Sequence, residues 1–247
     1  MKIAGNLSSV GTADLAVYLI HPPTGNILIN AHYPRDLPLR RKSIRQLGFN
    51  STDTTILLIS YAHGDHDAGV GLIKKETGAR LMVMAPDVAQ VESTATGRPA
   101  AKVDRVLHDG DTVELGGSTL TARLTPGHTP GCTTWTMRVS AGARTLDAVI
   151  IGSPKVNVGY SLVGNKKYPQ IAEDYVRCFD VLHPLPANVF LGAHGYFGLK
   201  EKFAAMKPGG PNPFVDPAGY TTYVATKAAA FRQKWERQTL NPGSPTP

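Results

Sequence analysis

Cysteine is scarce in this 247-residue sequence: there are two, Cys132 and Cys178, and no CxxC pair. That excludes a disulfide-stapled scaffold and a Cys-rich zinc cluster, so any metal must be held by histidine and carboxylate. Both cysteines read as small buried residues without a ligand role. Long apolar runs are missing too. The longest, residues 54–60 and 148–152, fall far short of the roughly 18 residues that a membrane-spanning helix needs, so no membrane partner is expected. Residues 1–7 carry one lysine and no apolar core of a secretory leader, which reads as a cytoplasmic chain or one given without its leader. There is no glycine-rich phosphate loop and no basic ribbon with interleaved aromatics, so no nucleic-acid partner is expected either. The basic residues Arg40, Arg41, Lys42 and Arg45 share a helical stretch with Leu39, Ile44 and Leu47 and read as a solvated helix face.

What is abundant is turn-forming sequence. With 25 glycines and 19 prolines, and a formal net charge of +7, the chain should be loop-rich and mildly basic. No internal repeat or mid-chain linker is visible, which predicts a single domain over residues 1–240 and a disordered tail over 241–247. Short branched or aliphatic runs bounded by Gly, Pro, Asn or Asp predict strands at 13–20, 26–30, 54–60, 80–84, 120–124, 133–139, 147–151 and 188–191. Helical patterns fall at 38–47, 68–76, 168–182, 200–206 and 218–238. Asp216 followed by Pro217 has the form of a helix start, and Gly48 and Gly78 stand where helix-ending glycines belong. Strand groups alternating with helices predict a layered α/β architecture.

The stretch SYAHGDHDAG, residues 60–69, follows an apolar strand and precedes a helix. It places His63, Asp65 and His66, two imidazoles and a carboxylate, within four residues, a donor set that zinc accepts in catalytic sites. Neighbouring side chains on a tight turn point in different directions, so His63 can serve one metal while Asp65 and His66 serve a second. His128 in LTPGHTPG and His194 in FLGAHG also stand just beyond apolar strands, between glycines that let a loop histidine enter a shared cavity. His21, His108 and His183 sit in turn-like contexts and read as structural or exposed. His32, in NAHYPRD, holds a strand-end position like those of the ligand candidates.

These motifs, with TPGHTPGCTTWT, GSPKVNVGY and LVGNKKYPQIAEDY, resemble the metallo-β-lactamases, and within them the third subclass, over essentially the whole chain. The resemblance implies a four-layer αββα sandwich, two mixed sheets face to face with helices outside, and a centre of one or two zinc ions. His63 and His128 then match the first zinc site, and Asp65, His66 and His194 match the second. The family's first-site histidine two positions before His63 is replaced by Tyr61. Three outcomes are open there: ligation as a phenolate, a water in place of the side chain, or a centre held by Asp65, His66 and His194 alone. Weakened first-site binding is expected, with His32 partly replacing the lost ligand.

The function so implied is hydrolysis of the amide bond of β-lactam antibiotics by metal-bound hydroxide that Asp65 orients, with Tyr160 as hydrogen-bond donor to the developing oxyanion. Ser153 matches a family serine near the second site and is expected to hold a water or contact substrate. Lys155 is either the group that binds the substrate carboxylate or a solvated loop lysine. The stretch 89–102 is shorter than the family loop that walls the cleft, which predicts a more open site. By resemblance the protein is a periplasmic monomer acting on a small molecule. The rival readings are another hydrolase of the superfamily, a lactonase or phosphodiesterase, and a weakly active or inactive zinc-binding variant.

Overall fold

Several of the predicted strands are apolar on both faces. Ile56, Leu57 and Leu58 are consecutive and all buried, the pattern of strands covered on two sides rather than one. The structure, a computed structural model, describes residues 1–93 and 101–241. Its strands are β1 (Lys2–Ala4), β2 (Leu7–Ser9), β3 (Tyr18–Ile20), β4 (Asn26–Ile29), β5 (Thr54–Leu58), β6 (Arg80–Met84), β7 (Arg105–Leu107), β8 (Thr112–Leu115), β9 (Ser118–Leu124), β10 (Thr133–Ala141), β11 (Arg144–Ile151) and β12 (Val189–Gly192). Its helices are α1 (Leu37–Gln46), α2 (Gly64–Asp67), α3 (Val70–Thr77), α4 (Val88–Glu92), α5 (Ile171–Leu182), α6 (Leu199–Ala205) and α7 (Pro217–Leu240).

Strands β1 to β7 form one sheet in sequence order, and β12-β11-β10-β9-β8 form the other. Both are mixed: the pairs β4–β5, β5–β6, β6–β7 and β11–β12 are parallel, while the remaining pairs are antiparallel. Alternation along each strand then builds the layers. Ile27, Ile29, Ile56, Leu58, Met82 and Met84 face the second sheet and meet Leu120, Ala122, Trp135, Met137, Ala148 and Ile150. The residues between them face outward: Leu28, Leu57, Leu81 and Val83 pack on α1 and α3, and Val149, Ile151 and Phe190 pack on α5 and α7. This is the expected αββα sandwich.

Trp135 sits in the middle of the inter-sheet core, paired with Ile150 and Ala122, and donates from Nε1 to the Ile59 carbonyl at 3.2 Å. That bond ties the second sheet to the end of β5, where the histidine motif begins. Trp135→Ala is expected to cost about 3–5 kcal/mol, the usual range for deleting a buried aromatic, as read from denaturant unfolding.

Four differences from the sequence reading matter. Residues 13–17 are not part of β3; Leu15 bridges His194 and the Ala16 N–H donates to the Ala193 carbonyl at 3.0 Å, so the segment is stitched to the end of β12. The helix expected at 68–76 is α3, starting at Val70, and a separate short helix α2 over Gly64–Asp67 precedes it; the chain turns between them at Gly69, whose N–H donates to the His32 carbonyl at 2.7 Å. A Cβ at Gly69 would lie 2.8 Å from that oxygen. The short strands β1, β2, β7 and β8 were not legible, and neither was α4. Finally, Arg40 is not on a solvated face: it is buried and donates to the Ala31 carbonyl, while Arg41 pairs with Glu76 at 2.7 Å. The helix starts and stops hold: Asp216 accepts from the Gly219 N–H at 2.9 Å ahead of Pro217, and Gly78 closes α3 at φ 71°.

Candidate metal centre

Strands β5 and β12 end at the same edge of the sandwich, and their following loops carry the motif and His194 respectively. The turn between β9 and β10 carries His128 to the same place. Ligands in open α/β sheets bind beyond the carboxyl ends of such strands, and the pattern here is the same.

Asp65, His66 and His194 converge. The Asp65 carboxylate lies 3.1 Å from His66 Nε2 and 3.7 Å from His194 Nε2, and the two imidazole nitrogens are 3.2 Å apart. Zinc at its usual bond lengths to nitrogen and oxygen, in tetrahedral geometry, would hold neighbouring donors about 3.3 Å apart. The donor set therefore fits the ion in spacing and in chemistry. Burial supports the fit by disfavouring the charged imidazole: His194 is lowered to about 4 and His128 to about 3, burial being the main cause in each, so both present lone pairs at neutral pH. Burial alone would raise the Asp65 carboxyl, but its hydrogen bond to His66 and the proximity of His66 and His194 hold it well below the usual carboxylate range.

His63 and His128 face each other with ring centroids 4.9 Å apart. His128 is fixed by its Nδ1–H, which donates to the Lys155 carbonyl at 2.9 Å, and the same carbonyl accepts from Tyr175 at 2.7 Å. Burial also lowers His63. Tyr61 does not complete this pair. Its ring stands edge-on to His63 and His128 while its hydroxyl reaches past them to His66 Nε2 at 2.6 Å and His194 Nε2 at 2.7 Å. The phenol is buried, and burial first, with Asp65 second, pushes it well above its ordinary value.

His32 is buried at a left-handed φ of 58°, lies outside the Asp65, His66 and His194 group, and has no partner at Nε2 among the described residues. What it contributes is its carbonyl, which accepts from Gly69. Ser153 is 1% exposed, and its backbone brackets Cys132: the Ser153 N–H meets Sγ at 3.3 Å and the thiol faces the Ser153 carbonyl at 3.7 Å. The Ser153 hydroxyl accepts from the Lys155 N–H at 3.4 Å. Cys132 and Cys178 are both fully buried, and burial pushes Cys132 up to about 12. The Tyr160 hydroxyl donates to the His128 carbonyl at 3.0 Å and lies 3.5 Å from His63 Nε2. The Lys155 ammonium stands 5.8 Å over the ring of Tyr196, which stacks on His194 at 4.9 Å. His21, beside Ser8 and Phe49, and the exposed His108 and His183 lie elsewhere. A cavity of about 520 Å³ opens beside His63 and His128, lined by Pro130, Tyr160, Lys167 and Tyr168 among others. Residues 94–100, within the short stretch expected to leave the cleft open, are outside the described residues.

Two neighbours of the candidate ligands were missed from sequence. Tyr196 gave no motif, and the Lys155 carbonyl, like any backbone group, carries no sequence signal.

The metallo-β-lactamase superfamily profile matches residues 15–194, from the segment stitched to β12 through the last candidate ligand. The chain belongs to the metallo-β-lactamase superfamily. Its structural neighbours include subclass B3 metallo-β-lactamases. The native FEZ-1 metallo-β-lactamase from Legionella gormanii is 49% identical, with a TM-score of 0.93 over 97% of this chain and 96% of that one. BJP-1, a subclass B3 metallo-β-lactamase of Bradyrhizobium japonicum, is 36% identical, with a TM-score of 0.91 over 97% and 94%. Curated relatives are more distant. A hydroxyacylglutathione hydrolase from Rhodopseudomonas palustris is 27% identical over 76% of this chain and 65% of its own length. The mitochondrial persulfide dioxygenase ETHE1 of Bos taurus is 29% identical over 57% of this chain and 48% of its own. This metallo-β-lactamase-fold chain thus spans about half of the one and two thirds of the other of these two curated relatives. Both the superfamily and the structural neighbours indicate a hydrolase acting on a small molecule. No helix among the described residues is long and apolar enough to cross a membrane.

Proposed function

We propose that this protein is a zinc-dependent hydrolase of β-lactams. The observation that carries the reading is the convergence of Asp65, His66 and His194 at zinc-ligand spacing, in a chain 49% identical to a metallo-β-lactamase along nearly its whole length. These three residues hold the ion, and His63 and His128 form a second, weaker position that lacks a third donor. Zinc, when bound, supplies Lewis acidity and makes a water acidic enough to react near neutral pH.

The chain's own residues do the rest. Asp65 orients the attacking water. The Tyr160 hydroxyl, turning from the His128 carbonyl, donates to the oxygen on which negative charge develops. The Lys155 ammonium, held beside His194 over Tyr196, attracts the carboxylate of the substrate. Water adds across the amide: hydroxyl goes to the carbonyl carbon, the C–N bond breaks, and the ring nitrogen takes the proton, leaving an amine and a carboxylic acid, which gives its own proton to solvent and becomes a carboxylate.

A second reading is favoured by the match to hydroxyacylglutathione hydrolases over 76% of the chain. It has the same centre open a thioester, or a lactone or phosphodiester, instead of an amide. One experiment separates the two. The purified protein is assayed with a chromogenic cephalosporin, a glutathione thioester, a lactone and a phosphodiester, with zinc and again after chelation. Chelator-sensitive cephalosporin turnover, restored by zinc, is the expected result; turnover confined to another ester class would transfer the assignment to that class.

A further inference from the structure

Asp87 lies three residues beyond the end of β6 and lines the same cavity as His63 and His128. Its side chain is 2% exposed, and it accepts three hydrogen bonds of 2.8 Å each. Oδ2 takes the N–H of Ala62, immediately before His63, and the hydroxyl of Thr129, immediately after His128. Oδ1 takes the N–H of Gly131, in the same turn as His128. One carboxylate therefore joins the root of the histidine motif on the first sheet to the His128 turn on the second. The approach is close: a Cβ at Gly131 would lie 2.6 Å from Asp87 Cγ, so the turn must carry glycine there. The root matters because the His63 carbonyl accepts from the N–H groups of His66 and Asp67 at 2.8 and 3.0 Å, so the orientation of α2, with Asp65 and His66 on it, is set from this point.

All three partners of Asp87 are neutral donors, and burial pushes its carboxyl up. A buried anion without a cation is costly to keep. Three donors converging on two oxygens suit a carboxylate and do not suit an amide, which would turn an NH2 toward one of them.

We propose that Asp87 is a positioning residue of the metal centre, holding the His63 and His128 loops in register and supplying negative charge beside the cation they bind. The inference rests on the metal reading above. Outer groups of this kind change metal affinity by about ten- to a hundredfold when removed.

The test measures zinc affinity, by competition with a chromophoric chelator, in wild type, Asp87→Asn, Thr129→Val and Thr129→Ser. Amide exchange at Ala62 and Gly131 is followed in the same proteins. Asp87→Asn is expected to bind zinc ten- to a hundredfold more weakly and to exchange both amides faster. Thr129→Val, which keeps the shape and loses the hydroxyl, should weaken binding; Thr129→Ser, which keeps the hydroxyl and loses a methyl, should not. If packing rather than the hydrogen bond matters, the two threonine variants reverse order and the proposal falls. Unchanged zinc affinity in Asp87→Asn overturns it as well, with the metal reading intact. A wild-type protein that takes up no zinc overturns both, so the two failures are told apart.

Discussion

Tyr61→His is expected to raise the zinc content of the purified protein from one ion toward two, and kcat/KM on a cephalosporin by on the order of tenfold, about 1.4 kcal/mol off the barrier. The reason is reach. The phenol is longer than an imidazole, and its hydroxyl passes His63 and His128 to engage His66 Nε2 at 2.6 Å and His194 Nε2 at 2.7 Å. It thereby spends a hydrogen bond on the very atoms that would hold the ion, while leaving the first pair one donor short. An imidazole at the same Cα ends nearer His63 and His128, whose rings are already 4.9 Å apart, and frees the nitrogens of His66 and His194. Metal analysis after dialysis reads the stoichiometry, and steady-state kinetics reads the rate. A variant that folds, keeps one zinc and keeps the wild-type rate would show that Tyr61 does not limit the first position.

Asp65→Asn is expected to remove zinc-dependent turnover almost entirely, on the order of a thousandfold or more, roughly 4 kcal/mol. Asp65 is the one carboxylate in the convergent set, the others being imidazoles. The amide preserves the shape of the side chain, so loss of activity would report the charge and not the packing. The edges from this oxygen to the two histidines, 3.1 and 3.7 Å, are those a shared ion would span. Zinc affinity and kcat, measured together, should fall together. Full retention of both would move the ion to the His63 and His128 pair and overturn the assignment of Asp65, His66 and His194.

Much of the candidate site was legible because its residues are of rare types in a tight spacing. His63, Asp65 and His66 fall within four residues, and His128 and His194 each follow a strand between glycines, so chemistry and local pattern pointed the same way. A layered α/β architecture was legible from strand groups alternating with helices, and the αββα arrangement came from the resemblance of whole motifs to the family. Strands of three residues, such as β1 and β7, have too little pattern to stand out, and their pairing depends on neighbours remote in sequence. His32 had the right residue type near the right strand end, yet its backbone takes a left-handed φ and the residue lies outside the Asp65, His66 and His194 group, which no local pattern foretells.

By itself, then, the sequence determined the class of the fold, the donor residues available and the anomaly at Tyr61, since each follows from composition, short-range spacing and likeness over the whole chain. Tertiary structure decided what each group faces. Tyr61 turns from the first pair to the second set, Arg40 goes inside to brace the His32 turn, the Lys155 carbonyl fixes His128, and Asp87 ties two loops together from residues 25 and 42 positions away. These are contacts between segments far apart in the chain. Direction and partner come into being only when two sheets pack and bring their strand ends to one edge.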